Sequence, residues 1–120
     1  MSEIRIRAES NRAFFDRARK AARAIDAGDF SLQPAELSFE SPELLFKVLT
    51  ANRWALLKEL KANGPSSIRA AAARLGRDYR GVHADVHALI DVGLIERDSA
   101  GKVFVPWSRI TTELAMDQAA

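Results

Sequence analysis

The chain has 120 residues, 48% hydrophobic and 28% charged, with a formal net charge of +2 and no cysteine. That length suits one domain with a short extension and allows one hydrophobic core, and the composition is too apolar for disorder. Lack of cysteine excludes disulfides, thiolate catalysis and cysteine-ligated zinc or iron–sulfur sites, and no apolar run reaches membrane length.

The start, MSEIRIRAES, carries charges where a signal peptide needs an apolar stretch, so a cytoplasmic location is expected. Charge is unevenly spread. Residues 1–42 hold seven basic and seven acidic side chains, whereas Glu43 to Arg109 holds eleven Lys/Arg against seven Asp/Glu, and the last eleven residues carry two acids. The basic excess falls in the central segment, as it would in a module facing nucleic acid.

In chain order, Ile4 and Ile6 alternate with Arg5 and Arg7, the period of a half-buried strand. Ser10 can cap a helix through about Ala27 with an apolar stripe of Phe14, Ala18, Ala21, Ala22 and Ile25. Its many basic residues, Arg12, Arg17, Arg19, Lys20 and Arg23, read as a solvated face. Residues 29–40 form a connector with a short extended piece at Leu37–Phe39. Ser41-Pro42 starts a short helix. Thr50 caps another that carries Trp54, Leu57 and Leu60 and stops at Asn63-Gly64-Pro65. Ser66 or Ser67 opens an Ala-rich helix with Ile68, Ala71, Ala72 and Leu75 on one side, closed by Gly76, and Asp78 caps a helix to about Val92 with Val82, Val86, Leu89 and Ile90 inside. Leu94–Arg97 and Lys102–Pro106 read as a hairpin around Asp98-Ser99-Ala100-Gly101. The tail, ITTELAM, reads as a strand pairing with EIRIR, Glu113 lying opposite Arg5 or Arg7, or as a short helix.

Three helices followed by a two-stranded ribbon is the order of a winged helix-turn-helix. The expected class is mainly α with a small β wing and an N-terminal strand–helix extension. Three segments are assigned: 1–40 for dimerisation or partner contact, 41–109 for DNA binding, and a tail, 110–120. At 100° per residue the helix after Asp78 turns Arg80, His83, Ala84 and His87 away from its apolar side. In a helix-turn-helix that helix enters the major groove. Arg80 can pair twice with guanine, either imidazole can donate or accept, and the Ala84 methyl suits thymine; Gly81 lets the backbone approach the duplex. Ser66 and Ser67 at a helix start, with Arg69, Arg77 and Tyr79, are placed for phosphates, and Arg97 and Lys102 for an adjacent groove. The bland alternative makes all of these solvated surface residues. His83 and His87 have the i, i+4 spacing of a metal clamp, but the intervening Ala-Asp-Val lacks the Glu of a zinc protease and no third His exists, so no metal is expected. No phosphate-binding loop, dinucleotide glycine pattern or activated nucleophile is present, so neither catalysis nor a cofactor is expected.

LGRDYRGVHADV and GLIERDSAGKVFVPW, within a run from about residue 39 to 110, resemble a prokaryotic family of winged-helix transcriptional regulators in the broad MarR-like group. Several members are regarded as antitoxins encoded beside a toxin. The resemblance implies a dimeric repressor of its own operon, binding an operator in double-stranded DNA, with a toxin as possible protein partner; Arg77, Tyr79, Arg80 and His83 match the family's recognition segment. Gly81 and Ala84 depart from it, standing where the family tends to have Asn and a basic residue, which implies altered or relaxed specificity. The alternative function is a protein-interaction module on the same fold, holding a toxin or other partner with only incidental DNA contact.

Overall fold

Short polar side chains set the helix starts. Ser10, Thr50, Ser67 and Asp78 each accept a hydrogen bond from the backbone N–H three residues on, at Ala13, Arg53, Ala70 and Gly81, satisfying donors that a helix start leaves unpaired. The computed structural model describes residues 2–29 and 34–116. Its elements are β1 (Glu3–Ala8), α1 (Asn11–Asp26), β2 (Ala35–Phe39), α2 (Pro42–Val48), α3 (Ala51–Asn63), α4 (Ile68–Leu75), α5 (Tyr79–Asp91), β3 (Glu96–Arg97), β4 (Val103–Phe104) and β5 (Arg109–Leu114). The fold is mixed α/β rather than mainly α. No described helix is long and apolar enough to cross a membrane.

The chain forms two compact units, one built from residues up to Phe46 together with those from Ser108 on, the other from Lys47–Trp107. The first unit holds a sheet of order β2-β1-β5, parallel throughout. The register sets Ile6 beside Leu37 and Thr112, and Arg7 beside Ser38 and Glu113. Period-two alternation buries Ile4 and Ile6 and gives Glu3, Arg5 and Arg7 to the other face. The tail is a strand, and Arg7 lies 3.4 Å from Glu113. The connector holds a five-residue strand where only Leu37–Phe39 was expected to be extended; local signals were weak there because pairing with β1 decides the outcome. Residues 30–33 of that connector and 117–120 of the tail lie outside the described residues.

Helix α1 departs further from expectation. None of its residues is buried, and Phe14 and Ile25 remain 40% and 54% exposed. Its half-buried residues are Ala13, Arg17 and Ala24, and Arg17 hydrogen-bonds to Glu9 and reaches Glu36 of β2 at 2.6 Å. Ion pairs rather than the apolar stripe hold the helix to its sheet. A helical period identifies an apolar face but not what covers it.

In the second unit α3, α4 and α5 pack through Leu56, Leu57, Leu60, Ile68, Ala71, Ala72, Val82, Val86 and Leu89. Gly76, at φ 63°, ends α4 in the left-handed region where a side chain is disfavoured. The hairpin strands are two residues each, shorter than predicted, with Arg97 opposite Val103. Asp98 organises the turn, its carboxylate accepting from the backbone N–H groups of Ala100 and Lys102 at 2.9 Å. Ser66 and Val103 exchange both backbone hydrogen bonds, at 3.0 and 2.9 Å, which ties the ribbon to the residue pair that opens α4. Trp107 Nε1 donates to the Gly93 carbonyl at 2.9 Å, and Lys61 Nζ to the Trp107 carbonyl at 2.8 Å.

Candidate nucleic-acid interface

The candidate surface lies on the second unit. Along α5, Val82, Val86 and Leu89 are fully buried, and each such side chain contributes roughly 1.5–3 kcal/mol to holding the helix rotation. That rotation leaves Arg80, Ala84 and His87 exposed and His83 half-buried. Tyr79, His83 and His87 form a row of mutually tilted rings at one-turn spacing. Tyr79 and His83 rings are 5.7 Å apart, His83 and His87 rings 4.3 Å, and the two imidazole Nε2 atoms lie 3.2 Å from each other. In the neutral forms one ring N–H donates to the other ring. The Arg69 guanidinium stands 5.0 Å from the centre of the Tyr79 ring, within cation–π range, which joins α4 to this row.

Arg80 has no ion-pair partner among the described residues, and the same is true of Arg69, Arg97 and Lys102. All four are exposed. No carboxylate among the described residues offsets these cations, so their field is open to an external anion.

Two expected contacts, those of Ser66 and Arg77, are corrected. Ser66 is buried; its hydroxyl donates to the Gly64 carbonyl at 3.0 Å and accepts from Arg74 Nη2 at 2.7 Å, so it cannot reach a phosphate. The Ser67 hydroxyl oxygen accepts from the Ala70 N–H as the α4 cap, which leaves its O–H, beside the backbone amides of that helix start, free to donate. Arg77 pairs with Asp85 at 2.8 Å, while Arg53 Nε donates to the other Asp85 oxygen at 3.0 Å and Arg53 Nη1 to the Val48 carbonyl at 2.9 Å. A carboxylate only 14% exposed between two guanidiniums thus joins α3, α5 and the turn before α5. Gly81 lies beside it, where a Cβ would stand a tight 3.3 Å from Arg77 Nη2. Sequence reading missed Asp85 and Arg53 because 32 residues separate the partners. The sole signal was an Asp on a helix whose other acids sit near its ends.

Residues 48–112 match the model of the HVO_A0114 family, which is more than half of the chain. The chain belongs to the HVO_A0114 family. The HVO_A0114 match runs through α3, α4, α5, the hairpin and most of β5, so every candidate surface residue falls within it, whereas β1, α1 and β2 fall outside. No curated protein and no solved structure matches the chain.

Proposed function

We propose that the chain is a cytoplasmic, sequence-specific DNA-binding transcriptional regulator with a winged helix-turn-helix core, acting as a homodimer on an operator with two half-sites. The observation that carries this reading is the split of α5. Val82, Val86 and Leu89 hold one side in the core while Arg80, His83, Ala84 and His87 face outward. In this assignment α4 precedes the recognition helix, α5 enters the major groove, and β3–β4 is the wing. Arg80 reads guanine through two parallel hydrogen bonds, Ala84 meets a thymine methyl, and the histidine pair offers both a donor and an acceptor to base edges. Arg69, Tyr79 and the amides at the start of α4 position the phosphates, and Arg97 and Lys102 touch the flanking backbone. Arg77 acts through Asp85 by fixing the turn. The role is binding rather than catalysis, and repression of its own operon as an antitoxin is the form implied by the regulators it resembles.

A second reading draws on α1. Its exposed Phe14, Phe15 and Ile25 favour a protein partner, such as a toxin, with DNA contact incidental. Selection from a pool of random duplexes at fixed salt separates the two. The regulator reading predicts enrichment of a two-part motif; a pool that stays unenriched while the protein captures a protein partner supports the interaction module.

A further inference from the structure

Among the described residues, the sheet of the first unit ends in β2 and β5, each paired to another strand on one side only. Such an edge presents unpaired N–H and C=O groups, and proteins blunt it with charged side chains, proline or bulges; β5 carries one charge of each sign, Arg109 and Glu113, which two antiparallel copies can match. Strand β5 is six residues long with neither proline nor bulge. The Arg109 N–H points inward to the Ser2 carbonyl, and alternation along the strand then directs the backbone groups of Ile110, Thr112 and Leu114 outward.

From this edge we infer that two copies of the chain join through β5, antiparallel, with the two-fold axis at Thr111. An antiparallel pair requires outward-directed residues to face each other. Among the registers that obey this, the one centred on Thr111 pairs Ile110 with Thr112 of the second copy, twice, for about four backbone hydrogen bonds. It also places Arg109 opposite Glu113 of the second copy, again twice. Arg109 is exposed and has no ion pair among the described residues, and the Glu113 side chain is 63% exposed.

The charges favour a second copy as the occupant. Across the polar face, Glu36 lies 3.8 Å from Arg7 and Arg7 lies 3.4 Å from Glu113, so the next strand outward is best matched by a cation, which Arg109 of a second β5 supplies. The β2 edge lacks this property. Pairing it with its own copy about Leu37 would set Glu36 opposite Ser38, and Glu36 is already shared by Arg7 and Arg17. Joining at β5 yields one sheet of order β2-β1-β5-β5-β1-β2 and is isologous, as a closed dimer requires.

This inference rests on the homodimer in the proposed function and names its surface; it is independent of whether the dimer binds DNA. Sedimentation velocity on the full chain, with circular dichroism to verify folding, tests it. Wild type should be dimeric. Arg109→Glu sets like charges opposite each other at two places and should raise the dimer dissociation constant on the order of 10- to 100-fold. Thr112→Pro removes an outward N–H without touching the β1 ladder and should also yield folded monomers. An equimolar mixture of Arg109→Glu and Glu113→Arg chains restores opposite charges and should form heterodimers. A wild type that stays monomeric at about 100 μM, a concentration at which pairs with Kd near the micromolar range associate, would overturn the inference. So would dimers that survive both Arg109→Glu and Thr112→Pro. Duplex titration of the same samples separates the claims: a β5-dependent dimer that ignores DNA removes the regulator reading alone, and duplex binding by a dimer indifferent to these variants removes the β5 junction alone.

Discussion

In the proposed function Arg80 is given most of the base reading by α5, because it is exposed, unpaired among the described residues and one turn from His83 and Ala84. Arg80→Ala should weaken binding to the selected operator by about 1–3 kcal/mol and relax preference at one position, read by fluorescence anisotropy on matched and mismatched duplexes. Asp85 works inside the fold. Asp85→Ala leaves Arg53 and Arg77 facing each other without their shared carboxylate, so urea unfolding should show a loss of about 2–3 kcal/mol. At Glu9, hydrogen bonding from Arg17 holds the carboxyl below its usual 4.5, against partial burial that raises it and with help from the charges of Arg17 and Arg7. The stability this supplies is present above the unfolded value and is lost as pH falls through the lower native value. Melting temperature should therefore fall less between about pH 5 and about pH 2 in Glu9→Gln than in wild type. The outward set on α5 was legible from 100° spacing alone. The duties of Ser66, Arg77 and Glu9 were not, since each depends on a partner brought close by the fold: Val103 and Arg74, Asp85, or Arg17 and Ser38.

The elements were set mainly by their ends. Ser10, Thr50, Ser67 and Asp78 are short polar residues placed directly before apolar periods, and each makes a cap, Ser67 being the one of the expected Ser66 or Ser67 that does so. Asp78→Ala should cost about 1 kcal/mol of stability through loss of the α5 cap. It should not lower duplex affinity per folded molecule, because it removes a negative charge beside the proposed phosphate contacts; thermal melting and anisotropy on one sample check both. Strand β2 and the packing of α1 were harder to read. β2 pairs with β1 some thirty residues away, and a stripe such as Phe14, Ala18 and Ile25 records apolarity without saying whether the chain itself covers it. The β3–β4 hairpin was legible from Asp98–Gly101, but its attachment to Ser66 is a long-range backbone pairing without a side-chain signature.

For the whole molecule, the second unit carries ten basic residues against six acidic ones, and Glu59 and Asp85 among those acids are already paired with arginines. The cations left unpaired on α4, α5 and the hairpin should make duplex binding strongly salt-dependent, since each phosphate neutralised releases condensed counterions. An apolar protein interface would respond little. In the proposed function the outward face of α5 reads duplex DNA. Its most direct test is an anisotropy titration of the selected operator and a scrambled duplex, with wild type and Arg80→Ala, across a salt series. If α5 reads duplex DNA, wild type binds the operator more tightly than the scrambled duplex at every salt concentration, log affinity falls steeply and linearly with log salt, and the gap between the two duplexes narrows in Arg80→Ala. Equal binding to both duplexes by wild type, or an operator preference that Arg80→Ala leaves intact, would contradict it.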